Sequence, residues 1–361
     1  MQAFNDKKVK ISSPGQLLVL GMGGTIAGLA ANPQAPEHYL AAQRSVAHLL
    51  SELQRDAMAG GADGGLQAAG VSVMSQQVAQ IDSQDLTPAH WQKLLQALWP
   101  ALGDPDVVGV VITHGTDTLE ETATFLDEVL SRTWGPLGKP IVLTCAMRPG
   151  NAPDADGPQN LADALALARD QSAQAQGLWV VCAGQAHAAK GVRKTHPQRL
   201  DAFDSGDTLA AAQCVGPAGT GRQWVWSSPP RAAIKPAPDR LQKPDLLLKT
   251  APEAWPKVAI LTHHAGSEAW EVAAWVNAGV QGIVVASTGN GTVSAAWREA
   301  LLKAQAQGVA LRFTTRCAQG RPTQVPEGMA AEVLENARLD VTPAKARVRL
   351  QIGLLMDGGG V

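Results

Sequence analysis

The segment that most limits what this chain can fold into runs from Val108 to Asp127, VGVVITHGTDTLEETATFLD. Val107 to Ile112 is a β-branched run, apolar on both faces apart from Gly109, which is the pattern of a parallel strand covered on both sides. Beyond it, Leu119, Ala123, Leu126 and Leu130 make an apolar stripe at helical spacing, and Thr118 with Glu121 reads as a capping box at the start of that helix. A buried strand, a polar turn and a helix in unbroken succession belong to an α/β sheet, whose carboxyl edge is where open folds of this class bind ligands. The turn is His114-Gly115-Thr116-Asp117. A threonine beside an aspartate there either caps the helix or holds and attacks a polar substrate.

At 361 residues the chain is long enough for two domains. Its 30 basic and 32 acidic side chains nearly cancel and form no basic runs, so nucleic acid is not expected as a partner. No apolar stretch approaches the ~18 residues of a membrane span, so no membrane association is expected. The opening MQAFNDKKVKISSPGQ has no apolar core of a signal peptide, which points to the cytoplasm. Cys145, Cys182, Cys214 and Cys317 show no metal-like spacing and read as buried free thiols, and the eight histidines form no H-E-x-x-H. Neither metal nor cofactor is expected.

In chain order, a strand at Leu17 to Leu20 runs into Gly21-Met22-Gly23-Gly24-Thr25. The third glycine of a dinucleotide fingerprint would fall on Ile26, so the loop reads as a close backbone approach to a ligand, with the Thr25 hydroxyl at the mouth of the sheet. Leu29 to His38, with Pro33 and Pro36, is a loop of about ten residues, long enough to act as a mobile lid. It leads to Tyr39, the one tyrosine, and a helix from Ala41 to Leu53. A strand at Val71 to Val78 precedes Ser83 and Gln84, polar residues at another strand-to-helix connection, before a helix opened by Thr87-Pro88. Further strands are expected at 140–144 and 178–183, a helix at 160–171, and a hairpin in the segment holding Lys194. From about Thr220 to Ala254 the pattern dissolves into Pro, Lys and Asp, a linker. Strands at 257–261, 282–286 and 309–314 alternate with helices at 268–278 and 294–307, and Thr342-Pro343 opens a last helix. The expected architecture is α/β with two domains: residues 1–223, a mostly parallel sheet flanked by helices and carrying both threonines; a linker, 224–254; and a smaller parallel-sheet domain, 255–361.

GMGGTIAG and ITHGTDTLEETATFLD resemble the two signature segments of the bacterial-type L-asparaginase and glutaminase-asparaginase family. The resemblance extends in order through DSQDL, CAMRPGNAPDADGPQNL, VRKTHPQRLDAF, ASTGNGTV and TPAKARVRLQ. It implies that Thr25 is the nucleophile and Tyr39 its lid partner, and that Thr116, Asp117 and Lys194 form a second catalytic set. It further implies that Ser83, Gln84 and Asp117 hold the α-carboxylate and α-amine of the substrate, with Gly24, Thr116 and Ala146 also lining it. A gap-free count back from Ala344 to Arg347 aligns Glu327 with a family glutamate that reaches a neighbouring subunit's site, which implies a homodimer or homotetramer with sites at subunit boundaries. Met22 stands where the family has threonine or asparagine before Gly-Gly, and Ala265-Gly266 where some members have asparagine.

The implied activity is hydrolysis of the side-chain amide of L-asparagine by a threonine nucleophile through an acyl-enzyme. The alternatives are a glutaminase-asparaginase of broad substrate use, a non-catalytic amino-acid-binding protein of the same fold, and a nucleotide-binding protein. A threonine hydroxyl is a poor nucleophile at neutral pH and must lose its proton to a neighbour as it attacks.

Overall fold

The computed structural model describes residues 15–35, 37–59, 72–134, 137–172, 175–217, 222–227, 244–334 and 341–357. The large sheet consists of β1 (Gln16–Gly23), β4 (Ser72–Ile81), β5 (Val107–Thr113), β6 (Pro140–Thr144), β7 (Gly177–Cys182), β8 (Gln185–Ala188), β11 (Ala212–Val215) and β12 (Gln223–Trp226). Their spatial order is β12-β11-β8-β7-β6-β5-β1-β4; the five strands from β4 to β7 are mutually parallel, and the β8, β11 and β12 pairings are antiparallel. Two small hairpins stand off the sheet, β2 (Leu29–Ala30) with β3 (Tyr39–Leu40) and β9 (Arg193–Lys194) with β10 (Phe203–Asp204).

Alternation along the strands sorts their side chains into two cores. Leu17 and Val19 of β1 pack with α1 (Val46–Ala59) and α4 (Gly157–Ala168), while Leu18 and Leu20 pack with α2 (Pro88–Gly103) and α3 (Leu119–Thr133). Each fully buried leucine contributes about 1.5–3 kcal/mol, so a one-residue slip of β1 would be costly on both faces. Gly109, the gap in the apolar run of β5, is where the end of α4 touches the sheet: a Cβ there would stand 1.9 Å from the Ala168 carbonyl oxygen.

Four local expectations are corrected. Thr118 does not close a capping box with Glu121, because its hydroxyl donates to the Ser83 carbonyl at 2.8 Å instead. The first helix begins at Val46 rather than Ala41, since the backbone N–H groups of Gln43 and Arg44 are bound to the Ala27 carbonyl and Ala42 adopts φ +56°. The lid stretch is not wholly irregular: β2 pairs with β3, and Asn151 grips both backbone groups of Ala30 at 2.8 Å. Sheet structure also continues past the expected start of the linker, because Trp226 of β12 packs edge-on to Trp179 at 5.0 Å and Arg222 pairs with the buried Asp163 at 2.6 Å. The middle of the linker, 228–243, lies outside the described residues.

The smaller sheet is parallel with sequential order, β13 (Val258–Thr262), β14 (Gly282–Ser287) and β15 (Ala310–Thr315). After the short α5 (Asp245–Lys249), α6 (Ala269–Asn277) and α7 (Ala295–Ala306) cover one of its faces. The terminal α8 (Pro343–Met356) covers the other with Ala346, Leu350 and Leu354, and presents Val348, Ile352 and Leu355 to the core of the large domain. That helix is therefore buried between the two domains with apolar side chains on two faces, while Arg347 and Arg349 pair with Glu121 and Glu128 of α3. Among the described residues no helix is long and apolar enough to cross a membrane.

Candidate active site

The chain passes from β1 to β4 on one side of β1 and then returns to β5 on the other. That reversal opens a crevice at the carboxyl ends of β1 and β5, and the two threonines follow those two strands. Thr25 opens a single 3₁₀ turn, Thr25–Ala27, directly after β1, and Thr116 lies between β5 and α3. Both are buried.

Glycine makes the approach of the two loops possible. Gly24 has φ +80°, and a Cβ on it would lie 2.3 Å from Gly115 Cα. A Cβ on Gly115 would meet Ser83 Oγ at 2.6 Å. The loops after β1 and β5 thus touch backbone to backbone, with the Ser83 side chain of the β4 loop packed on Gly115, an approach that no larger residue at these two positions permits. Behind them, Trp91 Nε1 donates to Thr122 Oγ1 at 2.9 Å, which leaves the Thr122 hydroxyl to donate to His114 Nε2 at 2.9 Å. His114 Nδ1–H then donates to the Gly115 carbonyl at 2.8 Å. Complete burial holds the imidazole neutral, its pKa pushed down to about 4.

Two threonine hydroxyls, each with its own polar partner, face the same cleft. Thr25 Oγ1 lies 2.7 Å from the Tyr39 phenol oxygen, whose pKa is raised mainly by burial and is opposed by that hydrogen bond. Lys194 Nζ donates to Thr116 Oγ1 at 2.9 Å and to Asp117 Oδ1 at 2.6 Å. The lysine comes from the isolated hairpin of β9, and its backbone N–H donates to Glu120 Oε2 at 2.7 Å. Ser83 sits in the 3₁₀ turn after β4, buried, with its Oγ accepting from the Asp117 N–H at 3.2 Å; Gln84 beside it is exposed. Ala146 is fully buried after β6, where Asp156 receives the N–H groups of Met147 and Arg148 at 2.9 Å each and so fixes the turn.

The cleft has a volume of about 570 Å³ and is lined by Thr25, Tyr39, Thr116, Asp117 and Lys194 together with Glu37, Arg148 and Asp154 at its rim. The rim residues escaped the sequence reading. Glu37 lies in an aperiodic stretch, and only the fold brings Arg148 across to accept the role of tether, its Nη1 donating to the Gln198 carbonyl at 2.8 Å. Glu120 and the C-terminal Thr342, which donates to Glu120 Oε1 at 2.9 Å, were equally invisible. Glu327 does not line the cleft of its own chain: its side chain is 87% exposed and paired with Arg298 at 2.6 Å. Met22 is core. Cys145, Cys182 and Cys214 are buried free thiols, but Cys317 is exposed, a correction to its expected burial. Among the described residues no group of three His, Cys, Asp or Glu side chains converges as a metal cage would.

Family profiles match nearly all of this architecture: the N-terminal asparaginase domain over residues 16–226 and the glutaminase/asparaginase C-terminal domain over 257–357. The chain belongs to the asparaginase family. It is 32% identical to a probable periplasmic L-asparaginase of Haemophilus influenzae over 94% of this chain and 88% of that protein. With glutaminase-asparaginase of Pseudomonas fluorescens biotype A it shares 29% identity over 97% and 88%. The crystal structure of a probable cytoplasmic L-asparaginase from Campylobacter jejuni superposes with a TM-score of 0.75 at 29% identity, covering 95% of each chain. The family membership accounts for the two-domain α/β architecture.

Proposed function

We propose that this asparaginase-family protein hydrolyses the side-chain amide of L-asparagine to L-aspartate and ammonia through an ester formed on Thr25. The observation that carries the reading is one cleft holding two threonine hydroxyls, each bonded to a different proton-handling partner, a phenol and an ammonium. Thr25 Oγ1 attacks the amide carbon as its proton passes to the Tyr39 oxygen. That phenol is neutral and a weak base, so it gives up its own proton as it accepts one. Backbone N–H groups of the Thr25 and Thr116 turns receive the oxyanion, a kind of interaction worth about 3–4 kcal/mol per donor.

Thr116 serves the leaving group. With its oxygen accepting from the Lys194 ammonium, its O–H becomes a stronger donor and hands a proton to the departing nitrogen. Ammonia leaves, the polarised Thr116 oxygen takes a proton from the water that attacks the ester, and as the acyl C–O bond breaks Thr25 Oγ1 regains its proton back through Tyr39. Asp117 receives the α-amine, Ser83 and Gln84 the α-carboxylate, and Gly24 and Ala146 form the wall. The proton beyond Tyr39 goes to Glu327 of a neighbouring copy, so the homodimer or homotetramer completes each site. The free cysteines suit the cytoplasm proposed as its compartment.

Steady-state ammonia release with asparagine and glutamine side by side tests the reaction, and rapid acid quench with peptide mass analysis tests the nucleophile. One methylene separates the substrates, a difference worth ~1–3 kcal/mol. Binding of aspartate with no ammonia from either amide would leave a binding protein of the same fold. An aspartyl adduct on the peptide holding Thr116 rather than Thr25 would reverse the two hydroxyl roles. Mixing Thr25→Ala with Glu327→Gln subunits should restore ammonia release through hybrid sites; exchange without recovery removes the shared site.

A further inference from the structure

The catalytic lysine of the proposed mechanism stands on a weak support. β9 is two residues long, is paired only with β10, and is not part of the large sheet. Its position relative to Thr116 is nonetheless held to 2.9 Å at Nζ. Besides the Asp117 carboxylate on its ammonium, two connections support it, and both lead to the N-terminus of α8, more than a hundred residues away in sequence. Glu120, in the first turn of α3 just past Thr116 and Asp117, accepts the Lys194 N–H on one carboxylate oxygen and the Thr342 hydroxyl on the other. Thr342 is the N-cap of α8, and its oxygen accepts in turn from the Lys345 N–H at 3.3 Å. Lys345, fully buried, sends its ammonium into the turn preceding β9, where it donates to the carbonyls of Ala189, Lys190 and Val192 at 3.0, 2.8 and 2.8 Å.

All three ammonium hydrogens of Lys345 are thereby spent on one turn of another domain. A buried cation that only filled space would be costly, and three carbonyl acceptors aimed at one point are a made-to-measure receptor for it. Burial lowers its pKa to about 8, with Glu120 and Asp127 opposing and Arg349 and Arg193 reinforcing the shift.

We propose that Thr342 and Lys345 are positioning residues for Lys194: the C-terminal helix holds the turn before β9 through Lys345 and the Lys194 N–H through Glu120, and so sets the lysine against Thr116. The inference rests on the reading of Lys194 as catalytic and extends it to the domain boundary. Neither residue touches the cleft, so substrate binding does not depend on them directly.

A double-mutant cycle on the full-length protein tests it, with Thr342→Val, Lys345→Met and Lys345→Arg each made in the wild-type and Lys194→Met backgrounds and followed by kcat, KM and melting temperature. In the wild-type background Thr342→Val should lower kcat about tenfold with KM within twofold, and Lys345→Met should lower it further where it folds. Lys345→Arg, which keeps the charge and several donors, should recover part of the Lys345→Met loss. In the Lys194→Met background Thr342→Val should have no further effect on kcat, because there is no ammonium left to position. Equal losses in both backgrounds, or a fall in melting temperature with kcat unchanged, overturn the proposal. If Lys194→Met itself retains full activity, the catalytic reading of Lys194 fails instead, and that result is separate. Should Lys345→Met not fold, Thr342→Val decides alone.

Discussion

The large sheet through its five parallel strands and the small sheet as a whole both present polar residues at a carboxyl edge, and only one of those edges is arranged for chemistry. At the end of β14, the small domain has Ser287, then Thr288 and the Gly289-Asn290-Gly291 turn, a hydroxyl-rich stretch as conspicuous in sequence as the one holding Thr116. There the hydroxyls bond to their own domain: Ser287 Oγ donates to the Thr314 carbonyl at 2.6 Å, Thr288 and Thr292 bond each other at 3.0 Å, and Asn290 is tied to Thr323. Even His263 Nε2 accepts a backbone N–H from Ser294 at 3.1 Å. In the large domain the corresponding hydroxyls bond to ionisable side chains from distant segments, Tyr39 and Lys194. The topology explains the contrast. The order β13-β14-β15 never reverses and opens no crevice, whereas the large sheet reverses beside β1. A hydroxyl at a sheet edge is a candidate for catalysis when its partner can move a proton, and a turn-former when its partner is a carbonyl.

The strongest way to break that contrast is to delete one hydroxyl from each edge. Thr25→Ala should lower turnover about a thousandfold or more, ~4 kcal/mol of barrier, while Thr288→Ala should leave it within about twofold. Parallel ammonia assays on the two variants decide, and comparable losses would erase the distinction. Next in size, Thr116→Val and Lys194→Met should each cost about a hundredfold in kcat, and the double variant should cost little more than either, since the two act as one unit. Losses that multiply would mean separate roles.

A smaller effect sharpens the part played by backbone contact. Gly24→Ala places a methyl against Gly115 at φ +80°, so it should destabilise by more than the backbone strain of about 1–2 kcal/mol and lower kcat more than tenfold by parting the two threonine loops. Gly279→Ala, also at positive φ (+77°) but with open space around it, should incur the backbone cost without loss of activity. Thermal melts and kinetics on the pair separate strain from collision.

The last effect concerns the pH dependence of stability and leaves turnover at neutral pH untouched. His114 and His187 are both held neutral by burial in the large domain, with pKa values of about 4 against an unfolded 6.5. Between those values the unfolded chain binds protons that the folded one does not, so stability rises with pH across about pH 4 to 6.5 and falls as pH drops through it. Each histidine accounts for up to about 3 kcal/mol of that slope. Denaturant melts from pH 4 to 7 on wild type and His187→Gln should give a shallower dependence for the variant; parallel curves would remove His187 from the account.

Much of the fold was legible locally. Short β-branched runs, the Thr87-Pro88 and Thr342-Pro343 helix starts and the 3.6-residue stripes mark strands and helices within a few residues of where they form, because each depends on neighbours in sequence. Where a distant partner intervenes, the local reading fails. Thr118 satisfies Ser83 rather than its own helix, α1 is delayed by the grip of Ala27 on Gln43 and Arg44, and β12 joins the sheet through Trp179 and Asp163.

The site divides the same way. The sequence by itself determined which side chains could do the chemistry, since Thr25 and Thr116 sit in glycine loops after apolar strands and glycine is required where backbone must approach backbone. Tertiary structure supplied the contacts: Tyr39 meets Thr25, Lys194 meets Thr116, and Glu120 bonds both the Lys194 N–H and Thr342. Those pairs lie 14 to 222 residues apart in the chain. No periodicity records such a pairing, because it is set by which strands the sheet makes neighbours and by the burial that requires each polar group to find a partner.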